Sequence, residues 1–216
     1  MNDKFFDLPR VKQDRMINGA LEVFAKNGYK HASTDDMVKA VGVSKGLWFH
    51  YFGSKPGIYT FVYGYSVKYM LLELSTIVDE NERDFLELTR QIELAKSRVG
   101  RNYPYMVLFL NEAVKETDEN IIFTVEEEKK VLEDKLTDML KNSEIKGIED
   151  KNRREKVKRM VTYMVTGITR EKTYEGVESD AIYREIRGYL DLIGQMSVSL
   201  GKAHDSEFEN MLEGLM

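Results

Sequence analysis

From Tyr105 to Met216 the chain contains no proline; its three prolines stand at positions 9, 56 and 104. Proline lacks a backbone N–H, and its ring collides with the preceding helical turn. The second half is therefore free to run in long helices, and its apolar residues are spaced for that. Val157, Met160, Val161, Met164 and Ile168 recur three and four positions apart, on one face of a helix. Upstream, Phe61, Tyr65 and Tyr69 recur every four positions. No stretch of useful length alternates apolar and polar residues, and no segment repeats, so the chain reads as all-α.

Local punctuation divides it into about nine helices. Ile17, Ala20, Leu21 and Phe24 mark an amphipathic helix over Arg10–Asn27, with Gly28 as its C-terminal cap. Ser33 or Thr34 caps a short second helix, favoured by Asp35 and Asp36, that Gly42 stops. Ser44 caps a third, ending near Tyr51, and Pro56 opens a long fourth over Lys55–Val78. Further helices are expected over Arg83–Val99, Tyr103–Glu116, Asp118–Lys141, Asp150–Thr173 and Ser179–Lys202, with a tail that adds a turn or frays. A composition shift near position 56 divides the chain into residues 1–55 and residues 56–216.

Composition excludes several chemistries. There is no cysteine, hence no disulfide and no thiol catalysis, which fits a reducing compartment. His31, His50 and His204 are the only histidines and lack metal-ligand spacing. No Ser/His/Asp arrangement and no phosphate loop stands out, so no catalytic residue, metal or cofactor is assigned. The longest apolar run, "YMVLFL" at Tyr105–Leu110, falls far short of the ~20 residues of a membrane span. The opening "MNDKFFDLPR" lacks the apolar run of a signal peptide, so a soluble, cytoplasmic protein is expected. Hydrophobic residues reach 42%, enough for a substantial core. Net charge is −5, but residues 1–60 hold nine Lys/Arg against six Asp/Glu. A mildly basic head on an acidic body is compatible with a head that touches phosphate.

The densest signal is "GVSKGLWFHYFGSK" at Gly42–Lys55. Two short helices joined by a glycine turn, behind a packing helix, make a helix-turn-helix. Met37, Val41, Val43, Trp48 and Phe52 are spaced to pack between the helices. With Trp48 and Phe52 inward, Lys45, Gly46, Phe49 and His50 face outward. Glycine at 46 lets backbone approach DNA. His50 and Tyr51 can bond phosphate or base edges, and Phe49 offers an apolar contact. Lys55 opens the next helix, where its charge and free N–H groups can meet a phosphate.

The stretch "STDDMVKAVGVSKGLWFHYFGSKPGIY", behind "ALEVFAKNGY", resembles the N-terminal DNA-binding domain of tetracycline-repressor (TetR) family transcription regulators. The resemblance covers about residues 10–60; beyond it only helix number and length agree. It implies a three-helix head followed by a larger helical domain for ligand binding and dimerisation. It also implies that Thr34, Lys45, Gly46, Phe49, His50, Tyr51 and Lys55 touch DNA. The partners it implies are double-stranded DNA with a palindromic operator, a small-molecule effector and a second copy of the chain. The last two long helices would pair with their copies, with Met164, Ile168, Leu190, Ile193, Gly194, Ser197 and Gly201 at the interface. Five positions depart from the family pattern. Phe49 is often tyrosine, Leu47 often threonine, Val38 and Val41 often alanine, and Trp48 usually a smaller aliphatic. A slightly wider helix pair is expected.

Outside the head two readings stand side by side. Tyr69, Tyr103, Met106, Phe109, Phe123 and Met164 are either ordinary core or the wall of a pocket for an apolar or aromatic effector. Gln91, Asn111 and Glu112 are candidate polar partners in such a pocket. The run "KNRREKVKR" at 151–159 reads as the solvated start of a helix rather than a second nucleic-acid patch. Gly188, Gly194 and Gly201 on the last helix each cost about 1 kcal/mol relative to alanine, which suggests close helix–helix approach. A repressor released by its effector is the expected function. A small helical-bundle enzyme or an interaction module acting on a hydrophobic ligand is the alternative.

Overall fold

The computed structural model describes residues 3–213, with side-chain surroundings from Lys4 to Ser199. After a 3-10 turn at Asp3–Phe5 come α1 (Arg10–His31), α2 (Thr34–Val41), α3 (Lys45–Phe52) and α4 (Lys55–Ile77). These are followed by α5 (Phe85–Asn102), α6 (Met106–Ala113), α7 (Glu119–Leu140), α8 (Lys151–Tyr174) and α9 (Ser179–Glu213). Among the described residues there is no β-strand, only one isolated bridge between Asp84 and Glu144.

The expected caps are in place. Ser33 accepts from the backbone N–H of Asp35 and Asp36, Ser44 from Leu47, and Ser54 from Gly57. Gly42 ends α2 in the left-handed conformation at φ 70°, where an L side chain is disfavoured. Helix α1 continues to His31, yet its backbone leaves helical geometry at Gly28, where the sequence placed its end.

Three boundaries differ from expectation. The last helix, expected to stop at Lys202, runs on to Glu213. Helix α5 runs past Gly100 to Asn102, and α6 begins only at Met106. Gly100 serves a close approach instead of a stop: a Cβ there would lie 2.5 Å from the Cβ of Ser179 at the start of α9. Tyr103 then caps α5 and turns the chain, because its side chain is held by α1 as described below.

One apolar cluster runs from Phe5 through α1, α2, α3 and α4 to Leu132 on α7, so head and body share a core. The expected widening by Val41 is absorbed locally. Its partner on α1 is Gly19, where a Cβ would collide with a Val41 methyl carbon. A second cluster joins Phe85 and Leu86 to Val161, Val165, Ile182, Ile186 and Leu190. No helix among the described residues is long and apolar enough to cross a membrane.

Candidate nucleic-acid interface and ligand cavity

Helix α3 is braced from behind. Trp48 is fully buried and Phe52 nearly so, their rings 5.3 Å apart. Phe5 plugs the same site from the N-terminal turn, 5.2 Å from Phe52 and 5.2 Å from Phe61. Nothing in the helical pattern pointed to Phe5; its only signal was a paired ring in an otherwise charged segment. The opposite face carries Lys45, Gly46 and His50, all exposed, with Phe49 half-buried beside them. No atom lies within 4 Å of where a Cβ on Gly46 would sit, so this surface is open. Lys45 pairs with Asp35 at 2.7 Å across the turn, tying the start of α3 to that of α2.

Two of the residues expected to touch DNA rest against their own chain. Tyr51 is buried, edge-on to Phe5 at 5.8 Å, because the N-terminal turn covers the side of α3 on which it lies. Lys55 turns back onto α1: its ammonium donates to the Lys30 carbonyl at 3.2 Å and sits 4.6 Å from the Tyr29 ring centre. Burial lowers its pKa from the ordinary lysine value. Thr34 is half-buried at the first turn of α2.

The middle helices leave no room where the sequence suggested a pocket. Tyr59, Tyr63 and Phe109 pack ring on ring with Phe24 and fill the interior. Burial pushes the Tyr63 hydroxyl up to about 12. Tyr103 and Met106 are also fully buried, whereas Phe123 lies exposed on α7. Tyr103 donates a short hydrogen bond to Asp14 and contacts the Tyr65 hydroxyl at 2.7 Å. Arg10 donates to both tyrosines, at 3.1 and 3.0 Å. Tyr69 completes the group, accepting from Asn102 at 3.0 Å. Burial first, and the Asp14 bond second, raise the pKa of Tyr103 above the usual phenol value. Met164 is half-buried against the second cluster. None of the six expected pocket residues lines the cavity walled by Glu93, Thr169 and Asp180.

That cavity, of about 550 Å³, opens instead at the seam of α5, α8 and α9. Its apolar lining includes Val107, Ile182 and Ile186; its polar lining includes Glu93, Lys96, Ser97, Thr169, Thr173 and Asp180. Glu93 is buried and pairs with Lys96 at 2.6 Å. Asp180 accepts from Ser97 at 2.7 Å and from Arg101 at 3.0 Å, and these bonds lower its pKa. A signal for these residues was present in the register. On α8, Val161 and Val165 give way to Thr169 and Thr173 at the same four-residue step. On α5, Phe85 and Thr89 give way to Glu93 and Ser97. An inward stripe that turns polar marks a hollow. Of Gln91, Asn111 and Glu112, none lines it.

The expected interface residues point largely into their own chain. Leu190 and Ser197 are buried, and a Cβ on Gly194 would meet Leu86 at 3.5 Å. Met164, Ile168 and Ile193 pack against the second cluster. Gly201 lies beyond the residues whose surroundings are described. The outward stripes of α8 and α9 are instead Met160 and Tyr163, and Tyr189, Leu192 and Met196, all exposed. Tyr163, Tyr189, Leu192 and Met196 each lie one residue before a position the sequence singled out, because α5 takes the inward side of α9.

Residues 16–60, which span the bend of α1, all of α2 and α3 and the start of α4, match the model for bacterial regulatory proteins of the tetR family. The head belongs to the TetR family. The whole chain has the fold of solved TetR-type regulators. One from Chloroflexus aurantiacus is 18% identical, with 90% of this chain and 96% of that one covered and a TM-score of 0.55. PfmR from Thermus thermophilus is 22% identical, with 84% and 97% covered and a TM-score of 0.54. The fatty acid degradation regulator FadR from Bacillus halodurans is 14% identical, with 88% and 95% covered and a TM-score of 0.53. No curated protein matches the chain. TetR-family proteins regulate transcription and are not enzymes. Among the described residues no group of acidic and histidine side chains could hold a metal ion.

Proposed function

We propose that the chain is a homodimeric, ligand-responsive repressor that lays α3 in the major groove of each half of a palindromic operator. The observation that carries this is the polarity of α3. Its back is sealed by Trp48, Phe52 and Phe5, and its front presents Lys45, Gly46, Phe49 and His50 to solvent. Thr34 and Lys55 flank that front, Lys55 leaving Tyr29 to reach a phosphate. Twofold symmetry sets the half-sites one helical turn or more apart, about 34–36 Å at the least. The outward apolar stripes of α8 and α9 support pairing with a second copy in a four-helix interface. The domain division falls at the head of α4, residues 1–55 reading DNA and residues 56–216 binding ligand and partner.

The cavity at the α5, α8 and α9 seam is the effector site in this reading. Both of its walls continue directly into contacts with α1. On α5, Gly100 and Arg101 precede Asn102, whose carbonyl accepts from Asn18 at 2.9 Å, and Tyr103, which holds Asp14. On α8, Thr173 precedes Tyr174, whose hydroxyl donates to the Ala25 carbonyl at 3.3 Å. A ligand that parts these walls shifts the seat of α1 and so the spacing of the two heads. Coupling is reciprocal: operator DNA lowers ligand affinity by the factor by which ligand lowers DNA affinity.

A gel-shift assay against the DNA upstream of the protein's own gene tests the proposal. A shift at low salt that weakens steeply with added salt is expected. Absence of any shift at low ionic strength would overturn it.

A further inference from the structure

The cavity carries its own chemical preference, which rests on reading it as the effector site. Glu93 is 4% exposed, and its carboxylate is held by the Lys96 ammonium three residues on. Burying a carboxylate is tolerated only while a cation stays with it; breaking such a pair by removing one partner is strongly destabilising. A ligand that enters this cavity must therefore leave Glu93 paired.

An anion would have to draw Lys96 away and strand Glu93 beside a like charge. A cation meets the opposite situation. Lys96 is 23% exposed on a flexible four-carbon stem, so its ammonium can swing outward into water while a ligand cation takes its seat. The rest of the lining agrees. Carboxylates outnumber cations, with Glu93, Glu178 and Asp180 against Lys96 and Arg101. Arg101 is already committed to Asp180. Thr169 and Thr173 add hydroxyls that can accept an N–H. Val107, Ile182 and Ile186, all buried, form the apolar wall. A volume of about 550 Å³ suits a drug-sized organic molecule.

We propose that the cavity binds an amphipathic organic cation, its ammonium seated on Glu93 in place of Lys96 and its apolar body against Val107, Ile182 and Ile186.

Calorimetric titration of the full chain with decylammonium, decanol and decanoate, each below its micellar concentration, tests this. The three share one tail and differ in head charge. Decylammonium is expected to bind at least about tenfold more tightly than either of the others. Glu93→Gln should abolish that margin and leave decanol binding unchanged. Lys96→Met removes the internal competitor and leaves Glu93 without its cation, so the free variant should melt earlier, while decylammonium should bind it more tightly and raise its thermal midpoint more than that of the parent chain. Equal or tighter binding of decanoate, or decylammonium binding indifferent to both substitutions, overturns the proposal. Operator release is read separately. Decylammonium that binds through Glu93 without releasing DNA refutes the effector role and leaves the cation preference standing. Release by a compound indifferent to Glu93 and Lys96 does the reverse.

Discussion

Two pairs of adjacent helices, α2 with α3 and α8 with α9, solve opposite problems. The first pair is short, eight residues each, and every large apolar side chain on it except the half-buried Phe49 finds cover within the chain. The second pair is long, 24 and 35 residues, and has two apolar faces apiece. One face closes on α5 and the second cluster; the other, with Met160, Tyr163, Leu192 and Met196, meets solvent. A short helix with one buried face leaves its other face free for polar recognition. A long helix with two apolar faces is complete only when something covers the second. The head thus draws its cover from within the chain, whereas the outward stripes of α8 and α9 fit the proposed pairing with a second copy.

Substitutions can break that contrast. Trp48→Ala should have the largest effect, because it empties the space behind α3; a loss of about 3–5 kcal/mol is expected in thermal or denaturant unfolding. Operator binding should vanish with it. Leu192→Glu should leave the helices folded but shift sedimentation from dimer to monomer. Without two linked heads, operator affinity should fall about 100-fold or more in a gel shift. A dimer that survives this change would place the partner surface elsewhere.

The join between the two regions sharpens the contrast further. Tyr103→Phe removes the bond to Asp14 and should cost about 1–2 kcal/mol near neutral pH. It should also weaken the release of DNA by ligand without weakening ligand binding itself. Alkali offers a second readout. Tyr59, Tyr63 and Tyr103 have hydroxyls whose pKa is raised in the folded chain, chiefly by burial. Above pH 10 the unfolded chain loses these protons while the native one keeps them, so the unfolded state binds fewer protons and stability falls as pH rises. The contribution is whole below pH 10, and for Tyr63 it is lost by about 12. Unfolding of Tyr103→Phe followed from pH 9 to 11 should show a shallower decline. The smallest effect belongs to Lys45→Ala. Its pair with Asp35 is exposed, so stability should change by less than about 1 kcal/mol. The salt slope of operator binding should drop by about 0.9, the share of one phosphate. Lys55→Ala should lower the slope similarly and, by freeing Tyr29, also lower the thermal midpoint.

The head was legible because its instructions are local. Ser33, Ser44 and Ser54 cap, Gly42 turns, and Trp48 and Phe52 repeat at one helical step; each acts within a few residues of itself. Tyr51 escaped that reading because its cover, Phe5, arrives from the N-terminal turn, on the other side of α1 and α2 in the sequence. The cavity escaped for the same reason on a larger scale. Ring-rich positions such as Tyr103 and Phe109 suit a pocket wall and a packed core equally well, and only their partners, Asp14 in one case and Tyr59 and Tyr63 in the other, decide between them.

By itself the sequence determined an all-helical chain, where its helices begin and, except for the last, where they end to within a few residues, and a short third helix of TetR type with one apolar and one polar side. These follow from propensity, capping and periodicity, which act over one or two turns. Tertiary structure alone decided which face of α9 turns inward, that the interior between the middle helices is filled, and that a hollow lies where α5, α8 and α9 diverge. Those outcomes depend on which side chains meet across tens of residues, as Gly100 meets Ser179 and Tyr103 meets Asp14, and no local pattern encodes such meetings.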